Sequence, residues 1–236
     1  AVSPECAYYI DWFKKHWSSL PPLISAAQLQ EMKFPDCTIL LNGIDTERLH
    51  VEKITPPKTF TFLSFGGIES IKKIEFIIRA ALQLQGQTPC PFKLLLTEGI
   101  GTRKMLECFF PKQLPRWIEL TPQTNDVTQL YKRSSCYISA SLRETQSTAV
   151  AEATLFGLPV IQSNIYGTFW NAHNPSVLTF KSTDVTDLAE KMRQMLLTAS
   201  DKETWARKVA ETQARNRALL SLSHWRDEVL RVFHDL

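Results

Sequence analysis

No Cys-x2-Cys pair occurs among the five cysteines, Cys6, Cys37, Cys90, Cys108 and Cys136, which are odd in number and widely spaced. Neither a zinc site nor a disulfide framework follows, and the thiols are expected to be reduced and mostly packed. No apolar run approaches the length of a membrane span, and the start Ala-Val-Ser-Pro-Glu-Cys lacks the basic and apolar regions of a signal peptide. The expected location is therefore cytoplasmic. Charge of one sign is also scarce, with 27 Lys and Arg against 24 Asp and Glu for a net charge of +3. Basic residues form no run beyond Lys14-Lys15 and no stripe interleaved with aromatics, which argues against nucleic acid as a partner. Acidic clusters at metal-ligand spacing are missing, so no metal and no cofactor is expected. His16, His50, His173, His224 and His234 are scattered, and none pairs with an obvious nucleophile. Repeats and low-complexity stretches are absent as well.

What is present is a chain of 236 residues, 44% hydrophobic, long enough to bury a full core. Its most informative stretch is 141–161. There Glu144 and Glu152 flank a polar turn, Thr145-Gln146-Ser147, and the start of an apolar helix near Thr148. Ser134 to Ser139 reads as a buried strand before it and Pro159 to Gln162 as another after it. In a strand-helix-strand unit, ligands bind at the carboxyl ends of the strands and the first turn of the next helix. That places Glu144 on the binding loop and offers the unpaired N–H groups at the helix start to an anion. A carboxylate accepts two hydroxyl hydrogen bonds well, so this arrangement suits a ligand carrying both phosphate and sugar hydroxyls.

Elsewhere the pattern alternates between strand and helix. Phe60 to Phe65 is a predicted strand, Gly66-Gly67 a tight turn, and Lys72 to Gln85 a helix with Ile74, Ile77, Ile78, Ala81 and Leu82 on its apolar face. Phe92 to Leu96 and Val177 to Phe180 read as strands. Asn125 to Lys132 reads as a helix capped by Thr124 or Asn125, and Asp184 to Leu197 as one with Val185, Leu188, Ala189, Met192 and Leu196 inward. Ile39 to Leu41 reads as a buried strand ended by Asn42-Gly43, a turn dipeptide that tolerates positive φ. Tyr8, Tyr9, Ile10, Trp12, Phe13 and Trp17 form an aromatic cluster at helical spacing, read as a helix packed on the domain and ended by Pro21-Pro22. The alternation predicts an α/β fold with a doubly wound, Rossmann-like parallel sheet.

Glu144, Glu152, Ala153, Gly157, Pro159 and Val160 reproduce the Glu-x7-Glu, Ala and Gly-x-Pro-Val signature of the retaining GT-B glycosyltransferases of family 4, which the chain resembles in their C-terminal, donor-binding half. Asn42-Gly43-Ile44-Asp45 is similar to the family's Asn-Gly-Val-Asp turn, and Ser223-His224-Trp225 to the opening of its last helix. The resemblance implies a helical linker segment over 1–36, a donor-binding domain over 37–220, and a helix over 221–236 that crosses back toward an N-terminal acceptor-binding domain absent from this chain. It implies transfer of a sugar from a nucleotide sugar to a glycan or lipid-linked acceptor, with peripheral membrane association of the whole protein as a further expectation. The roles that it implies are Glu144 with the following residues Thr145 and Gln146 and their backbone on the sugar, Ser147 and Thr148 on the diphosphate, Lys72 as its counter-charge and Glu152 on the ribose. The base is expected beside Pro122-Gln123-Thr124.

One departure stands out. The family's Gly-Arg-x4-Lys clamp is met by Gly66 and Lys72, but Gly67 occupies the Arg position. A fixed cation there stabilises the leaving diphosphate by several kcal/mol in a water-poor site, about 3–4 per donor. Arg143 is the candidate replacement; Lys73 is expected to face away. Alternatively, Gly67 lets backbone approach a phosphate. Besides an active transferase, a non-catalytic binding module that lost the Arg remains open, as does a nucleotide-sugar epimerase of the same architecture.

Overall fold

A computed structural model describes residues 6–8, 11, 38–46, 49, 58–87 and 91–234. Six strands, β1 (Phe60–Ser64), β2 (Phe92–Thr97), β3 (Ile118–Thr121), β4 (Cys136–Ser139), β5 (Val160–Ser163) and β6 (Val177–Phe180), form one sheet in the order β3-β2-β1-β4-β5-β6. Every pairing is parallel. Parallel strands need helical crossovers on both faces, and all four residues of both β4 and β5 are buried in consequence. Successive residues of β1 accordingly enter different cores. Phe62 packs with Ile77, Ile78 and Met192 on one face, and Leu63 with Tyr131, Val150 and Phe156 on the other. This is the predicted doubly wound α/β sheet.

The helices correct several expectations. The one expected from Lys72 is two pieces, α1 (Glu69–Lys72) and α2 (Ile74–Gln85), because Lys73 adopts the left-handed conformation at φ 52° and ends the first. On α2 the buried face holds Ile74, Ile77, Ile78, Ala80, Ala81 and Leu84, while Leu82 is exposed. After α3 (Thr102–Phe109), the helix expected from Asn125 is the shorter α4 (Thr128–Lys132), since Asp126 spends its carboxylate on the Thr128 N–H at 3.1 Å. The segment at Ile39 is neither a strand nor buried. Among the described residues it joins the fold through the bridge from Ile44 to Ser221 and the pairing of the Asn42 backbone with Gln146, and Ile39 is exposed. Gly43 is not at positive φ there; a Cβ would press on the Trp225 side chain at 2.7 Å, so close approach accounts for the glycine.

Downstream come α5 (Thr148–Leu155), a 3-10 turn (Tyr166–Asn171), α6 (Val185–Thr198), α7 (Lys202–Leu220) and α8 (Leu222–His234). Asp184 caps α6 by accepting the Asp187 N–H at 3.0 Å, with Leu188, Ala189, Met192, Met195 and Leu196 buried and Val185 packed at the core's edge. The sequence reading did not anticipate α7. Its inward positions are Thr212, Asn216 and Leu220, and Asn216 donates to Thr154 Oγ1 at 2.7 Å and Asn171 Oδ1 at 2.9 Å. Val229, Val232 and Phe233 of α8 are not buried. Most of the expected aromatic helix lies outside the described residues; of it, Tyr8 stacks on Tyr166 with centroids 3.5 Å apart. Cys6 and Cys108 are exposed and only Cys136 is buried among the described thiols, which corrects the expectation that they pack. Among the described residues no helix is long and apolar enough to cross a membrane.

Candidate functional site

The chain runs outward from β1 to β3 and then returns to place β4 on the other side of β1. At such a reversal the crossovers leave in opposite directions and open a crevice at the carboxyl ends of the two strands. Gly66-Gly67 leave β1 at that point, and the Ser141 to Ser147 loop leaves β4.

Two glycines, Gly66 and Gly99, let backbone pack on backbone there. A Cβ at Gly66 would lie 2.7 Å from Gly99 N, and one at Gly99 2.6 Å from Gly67 O. Hydrogen bonds fix the approach, from Gly66 N to Thr97 Oγ1 at 2.8 Å and from Ile100 N to Gly67 O at 2.7 Å. Glu69 braces the same turn. It accepts from Thr102 Oγ1 at 2.5 Å and from the Gly67 backbone, while Thr102 Oγ1 accepts from Gly99 N at 2.9 Å. Its second oxygen is buried with no hydrogen-bond partner, and burial raises its pKa above the ordinary carboxylate value.

The two residues expected to meet the donor meet each other. Lys72 Nζ lies 2.6 Å from Glu144 Oε1, an ion pair whose acid is mostly buried. The Lys72 stem runs over Gly67, 3.0 Å from where a Cβ would sit, so it crosses the space that the expected Arg would leave through. Lys73 instead reaches Glu75 at 3.6 Å and lies over the Phe76 ring. It faces away as expected, though because of its left-handed backbone. Ser141 Oγ donates to Glu144 Oε1 at 2.7 Å, and Ser163 Oγ on β5 fixes the Ser141 carbonyl at 2.6 Å. Gly167 closes against the Glu144 backbone, where a Cβ would stand 2.6 Å from the carbonyl carbon.

Ser147 precedes α5 and is buried, with its N–H donated to Gly167 O at 3.3 Å, so the helix start offers its amides from Thr148 onward. Thr148, Thr145 and Arg143 are exposed. Gln146, expected to face the ligand, is buried and spends its amide on the backbone of Asn42, accepting from its N–H at 2.6 Å and donating to its carbonyl at 3.3 Å. One turn into α5, Glu152 Oε2 accepts from Tyr131 Oη at 3.1 Å. Tyr131 is fully buried, and desolvation drives its pKa well up, so it serves as a neutral donor. The helix ends where Gly157, at φ 82°, donates to Thr154 O at 3.0 Å and Leu158 to Ala153 O at 2.9 Å. That paired closure explains why glycine precedes Leu158-Pro159. Tyr131, Ser163 and Gly167 were missed because each reaches the site from another element, with no spacing to announce it.

The model of the family described as glycosyl transferases group 1 matches residues 59–198, more than half of the chain. Solved structures share the fold. They include a glycosyltransferase from Rickettsia africae ESF-5 with a TM-score of 0.74 at 17% identity over 84% of this chain and 56% of that one. S. aureus TarM in complex with Fondaparinux, alpha-GlcNAc-glycerol and UDP gives 0.73 at 18% identity over 89% and 43%. Anabaena HepE in complex with UDP-glucose gives 0.69 at 17% identity over 84% and 57%. The chain thus spans about half the length of these structures. No curated protein sequence matches it. The sheet is the Rossmann-like C-terminal domain of a GT-B fold, and the chain belongs to the glycosyl transferases group 1 family.

Proposed function

We propose that this chain is the donor-binding half of a retaining glycosyltransferase of the family 4 type, which moves a sugar from a nucleoside diphosphate sugar to a hydroxyl acceptor. The observation that carries the reading is the Lys72–Glu144 pair, held at the strand reversal by Ser141, Ser163 and Gly167 beside the start of α5. A cation, a hydroxyl-accepting carboxylate and unpaired helix amides in one crevice match the three parts of such a donor. Lys72 would exchange Glu144 for the diphosphate, freeing Glu144 to accept from sugar hydroxyls, while the amides from Thr148 take the remaining phosphate charge. Glu152, which also accepts from Tyr131, would hold the ribose hydroxyls. A glycan acceptor is in keeping with the TarM complex, and the acceptor-binding half belongs to the rest of the protein.

A titration against UDP, GDP, ADP and their sugar conjugates tests this reading. One nucleoside diphosphate should bind, and Glu152→Ala should weaken it by about 1–3 kcal/mol, as for a hydrogen bond to a charged group. Unchanged affinity in that variant would remove the assigned role. Gly67 favours a second reading, a non-catalytic module that binds the nucleotide without turning it over. If the lost Arg is the cause, Gly67→Arg should tighten diphosphate binding markedly once the flexible Lys72 stem shifts. If Arg143 already substitutes, that variant should gain nothing and Arg143→Ala should lose affinity for diphosphates but not for monophosphates.

A further inference from the structure

At the opposite end of the sheet, the first residues of β1 and β2 and the last turn of α4 enclose a hollow of about 420 Å3. Its rim carries four cations, Lys58, Lys93, Lys132 and Arg133, against one carboxylate, Glu119. That local excess of +3 equals the formal net charge of the whole chain, so the remaining residues balance to zero. Glu119 is committed to Arg133. Among the described residues no carboxylate pairs with Lys58, Lys93 or Lys132. Three unneutralised ammonium groups around one concavity repel one another, and a solvated charged face disperses such charges. Here the register holds them together. Lys93 is the sheet neighbour of Thr61 on β1, and Ser135, two residues after Arg133, donates its N–H to the Thr61 carbonyl at 2.8 Å. The five residues of β1 separate this hollow from the Gly66-Gly67 turn by about 17 Å, so it is not part of the donor crevice.

We propose that this hollow is a second anion site, for a ligand with clustered phosphate groups. Its volume fits a small ligand. Its cations give compact, rotatable donors to phosphate oxygens, and the Thr59 hydroxyl on its wall is a further polar contact. A soluble diphosphate and the headgroups of an anionic lipid surface present the same chemistry, and the experiment separates them.

Amide spectra of the 15N-labelled chain titrated with inorganic pyrophosphate should show shifts at Thr59, Thr61, Lys93 and Arg133, separate from any at residues 66–72. Co-sedimentation with phosphatidylcholine vesicles, with and without phosphatidylglycerol, reads the lipid arm. The combined variant Lys58→Gln, Lys93→Gln, Lys132→Gln should weaken the relevant arm by about tenfold or more. The equally charge-reduced control Lys104→Gln, Lys112→Gln, Lys202→Gln should bind as the parent does, since all of these lysines are exposed and neither set bears on the fold. Pyrophosphate shifts at the hollow identify a soluble source, and phosphatidylglycerol-dependent sedimentation lost only in the first variant identifies a membrane surface. The proposal is overturned if pyrophosphate perturbs only the donor end and both variants sediment alike.

Discussion

At the scale of single residues, the crevice at the strand reversal is built by side chains that are missing as much as by those present. Gly167 has no Cβ because the Glu144 backbone occupies its place. Gly167→Ala must push the 3-10 turn off the acid, at about 1–3 kcal/mol for overpacking. A lower melting temperature together with weaker UDP binding is the expected pair of results; lost stability with intact binding would show that Gly167 serves packing alone. Glu69 sets a different expectation. Its folded pKa is raised above 4.5, so the folded state holds this proton longer than the unfolded chain does. Stability from this group is therefore complete below about pH 4.5 and declines as pH rises through the folded value. Glu69→Gln keeps an acceptor for Thr102 and removes the titration. Urea midpoints of the two proteins should diverge in favour of Gln across that window, and a constant difference from acid to neutral pH would contradict the assignment.

At the scale of elements, what could be read from sequence depended on whether burial and hydrophobicity coincide. The inner strands β1, β2, β4 and β5 are covered on both faces, so their apolar runs are legible, and α6 shows its apolar stripe at helical spacing. The edge strand β3, Ile-Glu-Leu-Thr with only Ile118 buried, carries no such run and escaped the sequence reading. By contrast α7 turns Thr212, Asn216 and Leu220 inward at i, i+4 and i+8, a helical period written mostly in polar residues that a hydrophobic reading passes over. The break at Lys73 was equally hidden, because lysine rarely adopts positive φ and only the packing on either side imposes it. Glu144 and Glu152 stood out by their place in a strand-helix-strand unit, whereas Lys72 was found through a family resemblance. Nothing local shows that Gln146 would be spent on Asn42, 104 residues away. The polar seam of α7 carries its own test. Asn216→Ala leaves Thr154, Asn171 and Asn174 short of a buried partner and should cost about 1–3 kcal/mol. Arg215→Ala, one position along in an exposed pair with Glu211, should cost no more than about 0.5 kcal/mol. Similar losses in both would mean that the buried network is not what fastens α7.

At the scale of the whole molecule, the chain spans about half the length of the Rickettsia, TarM and HepE structures, and the proposed chemistry needs a second wall. Alignment of an acceptor hydroxyl with the anomeric carbon accounts for about 7–11 kcal/mol of barrier lowering in well-oriented reactions. Residues 1–236 alone should therefore bind a donor and release at most a trickle of free sugar; robust glycosyl transfer by the isolated chain would refute the placement of the site. The ion pair between Lys72 and Glu144 also bears on how quickly a donor arrives. A crevice whose cation is already matched by an acid presents a local dipole to solution, and a dipole's field fades faster with distance than a bare charge's. The pair thus adds little long-range pull on an anionic donor, which would approach at an ordinary diffusive rate with a shallow dependence on ionic strength. Glu144→Gln would unmask the ammonium group, hastening capture at low salt, while leaving one neutral amide oxygen in place of the carboxylate proposed to accept from the sugar hydroxyls. On the role proposed for Glu144, speed of encounter and grip on the sugar are set against each other by one 2.6 Å contact.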